Sequence, residues 1–96
     1  MSAYIIFIRD RVRDAAELAA YAPLAQASTA GHALHPLAFY GAVETLEGAE
    51  VDGVVLIKFE DRAAARAWYD SPQYTEARKH RHLGADYRAL IVEGID

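Results

Sequence analysis

Hydrophobic residues along the chain repeat with two different periods, and the switches between them predict the elements. Ala3 to Arg9 alternates at every second position, with Tyr4, Ile6 and Ile8 on one side and Ile5 and Phe7 on the other. β-Branched and aromatic residues favour a strand there, apolar on both faces. Asp10 to Arg13 reads as a charged connection. Asp14 then opens a helix in which Leu18, Tyr21, Ala22 and Ala25 recur at helical spacing as a buried stripe. Glu17, three residues after Asp14, completes the pattern of a capping box. Pro23 should kink or split this helix near Tyr21, and Gly31 suits a left-handed stop after Ser28.

Leu34 to Leu46 holds the second strand, best defined from Ala38 to Thr45. Phe39, Gly41, Val43 and Thr45 share one of its faces, and Tyr40, Ala42 and Glu44 share the other. It is the least apolar strand and carries a glycine, which suits a sheet edge. Glu47 to Gly53 is a turn, and Val54 to Phe59 is a third strand, apolar on both faces except at Lys58. Asp61 caps a short helix built on Ala63, Ala64, Ala65 and Ala67. Pro72 lacks an N–H and crowds the preceding turn, so this helix must stop and a new one start, with Ser71 as cap and Pro72 first. Leu83-Gly84-Ala85 turns into the last strand, where Tyr87, Ala89 and Ile91 alternate with Arg88, Leu90 and Val92.

The order β-α-β-β-α-β is the ferredoxin-like arrangement, an α+β fold with a four-stranded antiparallel sheet. Right-handed crossovers put strands one and three in the centre, and these are the two most apolar. Two helices cover only one face of such a sheet, and an uncovered face should alternate to polar residues. Here strands one, three and four stay apolar on both sides, with Arg9, Lys58 and Arg88 as the main exceptions. Left bare, roughly 8–10 large side chains would exceed the apolar patch usual for a monomer. Burial against a second copy, about 800 Å² per partner, removes that liability, so the expected partner is the chain itself as a homodimer.

Ninety-six residues fit one domain, residues 1–96. A formal net charge of −4 argues against general nucleic-acid binding, which needs a basic surface. The absence of cysteine removes disulfides, thiol nucleophiles and thiolate metal sites. The first apolar run is short, lacks a basic lead and breaks at Arg9. It is read as a strand rather than a leader, so a cytoplasmic protein without membrane contact is expected. Nothing resembles a phosphate loop, a nucleophile elbow, a haem-attachment site or a calcium loop, and no cofactor is expected.

Candidate chemistry concentrates after Pro72. Ser71, Tyr74, Arg78 and Arg81 follow at steps of three, four and three, which places them on one helix face. A tyrosine hydroxyl beside two guanidinium groups can hold a carboxylate or phosphate-like anion. The alternative is that Tyr74 packs on the sheet while the arginines complement the helix C-terminus, and Arg78 can equally pair with Glu44, Glu47 or Asp86. Trp68 and Tyr69 point about 100° apart, so one faces the sheet and the other the rim. Tyr21 and Tyr40 can complete a pocket between helices and sheet. The candidate ligand-binding set is therefore Tyr21, Tyr40, Trp68, Tyr74, Arg78 and Arg81. His32, His35, His80 and His82 make a poor metal set, and no metal is expected; His32 is the candidate general base.

Ala67-Trp68-Tyr69-Asp70-Ser71-Pro72-Gln73-Tyr74, followed by Arg78 and Arg81, resembles the signature of a small bacterial family, the domain-of-unknown-function family numbered thirteen-thirty. Leu46-Glu47-Gly48 and Val92-Glu93-Gly94 match as well, so the similarity spans nearly the whole chain. The chain departs from the pattern at Gly31-His32, where many members carry two glycines. It also lacks the arginine common near Tyr40-Gly41-Ala42 and the tryptophan that often follows L-E-G. The resemblance implies the dimeric α+β barrel superfamily, in which small aromatic substrates bind between helices and sheet. It carries no established activity. The expectation is thus a homodimeric domain that binds a small anionic or aromatic molecule in that pocket. A cofactor-free oxygenase, isomerase or lyase and a ligand-free interaction module stand as alternatives.

Overall fold

A computed structural model describes all residues, 1–96. The elements are β1 (Ala3–Val12), α1 (Ala15–Ala27), β2 (Leu34–Phe39), β3 (Gly53–Phe59), α2 (Arg62–Tyr69), α3 (Pro72–Gly84) and β4 (Ala85–Glu93). The sheet is antiparallel throughout, in the order β2-β3-β1-β4, with the two most apolar strands in the centre as expected. It is the α+β ferredoxin-like arrangement. No helix is long and apolar enough to cross a membrane.

Local chemistry explains the helix ends. The Asp14 carboxylate accepts from the N–H groups of Ala16 and Glu17, Asp61 from Ala64, and the Ser71 hydroxyl from Tyr74. Each satisfies a donor that the first turn leaves free. Pro72 opens α3 as its spacing requires. The capping box at Asp14 does not close, because Glu17 turns instead to His80 on α3, 2.6 Å away. Pro23 does not split α1, which continues to Ala27. Gly31 has a positive φ of 81°, although Ser28 is the residue that caps the helix.

Three boundaries differ from the sequence expectation. β1 continues through the charged segment to Val12, because Arg11 and Arg13 both pair with Asp86 at the start of β4. α3 runs directly into β4 without a turn, and the Gly84 carbonyl accepts from the N–H groups of Arg13 and Asp14. A side chain at Gly84 would collide with Leu18 of α1. The largest difference is β2, which pairs over Leu34–Phe39 and ends where Ala38–Thr45 was expected to begin in earnest. Tyr40 adopts φ 52°, a left-handed conformation that tyrosine rarely takes and that ends the ladder. Residues 41–52 then form a loop over the outer face of the sheet, where residues 43–49 and Val51 line an open hollow of about 650 Å³ with Ile6, Ile8 and Val54.

Register fixes which side chains meet the helices. Ala3, Ile5, Phe7 and Arg9 of β1 stand opposite Phe59, Ile57, Val55 and Gly53 of β3. Ile5, Phe7 and Arg9 also stand opposite Ile91, Ala89 and Tyr87 of β4. Against this face pack Ala65, Trp68, Tyr74 and Ala77, all buried. Tyr4, Ile6, Ile8, Val54, Leu56, Leu90 and Val92 lie on the opposite face, and Leu90 and Val92 are about half exposed, at 50% and 47%.

Candidate functional site

α3 carries the site because its buried face repeats at Tyr74, Ala77, Arg81 and Gly84. The helical spacing that brings Tyr74 over the sheet also carries Arg81 inside, where a guanidinium is seldom found. Arg81 is 3% exposed, and no carboxylate lies within ion-pair distance of it. Its Nη2 makes two long contacts, 3.4 Å to the Tyr69 hydroxyl and 3.3 Å to His82 Nε2. Its Nε has no hydrogen-bond partner within the protein. The charge rests instead over two aromatic faces, 5.2 Å from the Phe7 ring centre and 4.9 Å from that of Tyr87.

Tyrosine hydroxyls crowd this end of the layer. Tyr21 of α1 and Tyr74 share a hydrogen bond of 2.8 Å, and Tyr40 is bonded to Tyr87 through their hydroxyls. Burial raises the pKa of all of Tyr21, Tyr40 and Tyr74, with the Arg81 charge pulling Tyr74 the other way. These phenols are therefore neutral and can donate hydrogen bonds at ordinary pH. Tyr40 reaches the cluster across Gly53, where any Cβ would fall 2.6 Å from its ring. Arg9 lies 4.4 Å over the same ring and is held by Asp52 at 2.6 Å.

The six residues expected to bind ligand do not all stand alike. Tyr21, Tyr40, Tyr74 and Arg81 come to the same end of the helix–sheet layer. Trp68 backs it from the core, with its ring centre 4.1 Å from that of Tyr74 and its indole N–H given to Ser28 Oγ at 3.2 Å. Arg78 does not share the buried face of Tyr74 and Arg81. It is half-buried and sits 4.5 Å over the Tyr69 ring, because Ala77 rather than Arg78 occupies the inward position. None of the anticipated partners Glu44, Glu47 or Asp86 pairs with Arg78; Asp86 is taken by Arg11 and Arg13, whose hydrogen bonds lower its pKa.

Sequence reasoning missed Tyr69, Tyr87, Arg9 and His82 as neighbours of the site. The period-two pattern had already placed Tyr87 with Ala89 and Ile91, and the same alternation carried on past Phe7 reaches Arg9, so a signal was present for two of them. His82 has a lowered pKa, from partial burial and from the charges of Arg81 and Arg78. His32 lies in the turn after α1 and makes no side-chain hydrogen bond or ion pair with these groups, and no three His, Asp or Glu side chains converge to hold a metal. A separate groove of about 350 Å³ opens between α2 and β4, with Tyr69 among its walls.

This fold and this buried cluster define a ferredoxin-like α+β protein with an enclosed cationic, hydroxyl-rich end. A profile of the DUF1330 family, a domain of unknown function, matches residues 2–95, and the chain belongs to that family. No match is found among curated proteins. Among solved structures the chain resembles RPA0582, a protein of unknown function from Rhodopseudomonas palustris, at 20% identity and a TM-score of 0.78, covering 99% of this chain and 83% of that one. It also resembles a dimeric ferredoxin-like protein of unknown function from Thermobifida fusca, at 17% identity and a TM-score of 0.65, covering 96% and 90%. A third is SnoaB, a cofactor-independent oxygenase from Streptomyces nogalater, at 10% identity and a TM-score of 0.57, covering 99% and 93%. At these identities the likeness is one of fold.

Proposed function

We infer that the chain is a homodimeric domain that binds a small anion between its helices and sheet, with Arg81 as the charge that holds it. One observation carries this reading: a guanidinium 3% exposed with no carboxylate beside it and an unpartnered Nε. Burying an uncompensated charge is costly, and proteins ordinarily pair such groups. A bound carboxylate, enolate or phenolate supplies the missing partner and accepts from the Nε–H and the tyrosine hydroxyls together. The bonded pairs Tyr21–Tyr74 and Tyr40–Tyr87 each leave one hydroxyl hydrogen that would be donated to it, Trp68 would back the aromatic wall, and Arg78 would add positive potential from outside.

The test is thermal shift with carboxylates, phenols and quinones on the wild type and on Arg81→Met. Anionic compounds should raise the melting temperature of the wild type and leave the variant unmoved. Equal shifts in both proteins, or none with any class, would remove Arg81 from the account.

The dimer is supported by the apolar outer face of the sheet and by the dimeric relative from Thermobifida fusca. Tyr4, Leu56, Leu90 and Val92 lie on that face outside the hollow lined by residues 43–49 and Val51, with Leu90 and Val92 about half exposed, and a second sheet would cover them. Sedimentation at micromolar concentration should give twice the chain mass; a stable single copy counts against the pairing.

A second reading, a cofactor-free oxygenase, draws on the fold shared with SnoaB and on His82. Its depressed pKa keeps the imidazole neutral at ordinary pH, so it can take a proton from an activated C–H of a substrate whose anion Arg81 stabilises. For an anthrone-like methylene the balance is one O2 consumed, one oxygen retained as the new carbonyl and the other released as water. Oxygen uptake with such compounds, lost in His82→Asn, separates this reading from simple binding.

A further inference from the structure

The groove between α2 and β4 lies at the outer side of Tyr69, and Arg81 lies at its hydroxyl. The groove is lined by apolar Ile5, Ala89 and Ile91, by Tyr69, and by Arg62 and Arg66. We propose that this groove is the mouth of the Arg81 site, that Tyr69 is its stopper, and that the ligand is a small flat aromatic carboxylate. The proposal rests on the anion-site reading above.

Several features point the same way. The Tyr69 hydroxyl is the weak occupant of Arg81, at 3.4 Å, a contact that a carboxylate oxygen at normal hydrogen-bond length outcompetes. The Tyr69 ring meets Tyr74 on the core side, with centres 5.5 Å apart, and Arg78 and Arg66 stack on it at 4.5 and 5.9 Å. Tyr69 both lines the groove and contacts the guanidinium, so the proposed route passes through its displacement. Four arginines stand along this route: Arg62 and Arg66 at the groove, Arg78 beside the stopper, Arg81 at the end.

Arg62 and Arg66 have ion-pair partners, Glu93 at 3.3 Å and Asp70 at 2.7 Å, but both pairs are exposed. Exposed pairs are weak, so these arginines remain able to draw an anion in. The groove volume, about 350 Å³, is at the low end of the range for small-molecule sites, about 300–1,000 Å³. The apolar lining takes the ring, and Arg81 takes the carboxylate.

Calorimetric titration with benzoate, cinnamate and naphthoate, and with benzyl alcohol as the uncharged control, tests this on four proteins. Wild type should bind the carboxylates and not the alcohol, and Arg81→Met should bind none. Ala89→Trp fills the groove from an exposed position and should weaken binding by at least about tenfold. Tyr69→Phe keeps the ring but removes the competing hydroxyl, and should tighten binding by about threefold. If Arg81→Met abolishes binding while Ala89→Trp and Tyr69→Phe match the wild type, the ligand enters elsewhere and the mouth is wrong, with the anion site intact. If the wild type binds none of the three carboxylates, both proposals fall. Equal binding of benzyl alcohol overturns the carboxylate assignment.

Discussion

The two ends of the helix–sheet layer are built from similar aromatic residues and come out opposite in character. At one end Phe59 and Trp68 pack with ring centres 5.7 Å apart, over buried Ala65. The one polar atom of the indole gives its hydrogen to Ser28 Oγ, and that hydroxyl passes its own to the Ala25 carbonyl. Every buried side-chain polar atom there has a partner within the protein. At the other end Phe7 meets Tyr74 and Tyr87, and a guanidinium lies buried with one donor unmatched. Satisfied polarity marks a core; unsatisfied polarity at equal depth marks a place where something else is expected to bind.

The sharpest way to break this contrast is at the dry end. Trp68→Ala removes a side chain only 2% exposed, and urea melts should show a loss of about 3–5 kcal/mol. A loss below about 1 kcal/mol would mean that the indole is not part of the core. Ser28→Ala is the subtler probe of the same end. It strands the indole N–H without changing the volume much, and should cost about 1–3 kcal/mol. A neutral result would show that the indole N–H does not depend on the serine.

Much of this was legible along the chain, and what was not has physical causes. The broken helix was readable because Ser71-Pro72 leaves few conformations open, and the central strands because their hydrophobicity admits no exposed face. β2 was misplaced because Tyr40 to Thr45 has the residue types of a strand, whereas the φ of Tyr40 is set by tertiary contacts with Gly53 and Tyr87. Helical spacing put Arg78 and Arg81 on a shared face, yet it does not tell which of two adjacent stripes points inward. Ala77 decides that, being small enough to sit against the sheet. The absence of a carboxylate near Arg81 could not be read at all, since it depends on where every acidic residue ends up.

Arg81→Met turns the comparison around, because here a substitution in the interior should stabilise. An unmatched buried donor costs about 1–3 kcal/mol. The stacking of the guanidinium on Phe7 and Tyr87 returns about 0.5–2 kcal/mol. Methionine keeps most of the apolar stem and restores contact with both rings. The net gain should be about 1 kcal/mol in denaturant melts, together with loss of anion binding. Destabilisation by a similar amount would mean that the guanidinium is already well matched, and the two ends would then differ less than their geometry suggests.

The smallest effect expected is a pH dependence confined to the cationic end. His82 has a lowered pKa in the folded chain, from partial burial and then from Arg81 and Arg78. Above about pH 6.5, the ordinary histidine value, the imidazole is neutral in folded and unfolded states alike and contributes nothing. As pH falls from there the unfolded chain takes the proton first, so stability declines until pH passes the lowered folded value. The carboxylates Asp86 and Asp96 also have lowered values, but their contribution is lost only in the acid range below about 4, a separate window. Melting temperature should therefore sag as pH falls below about 6.5 in the wild type and stay flatter in His82→Asn. The same sag should shrink in Arg81→Met, which removes one of the two charges that depress the histidine, and persist in Ser28→Ala, which touches only the dry end. A sag unchanged in all three variants would place its origin outside the Arg81 cluster.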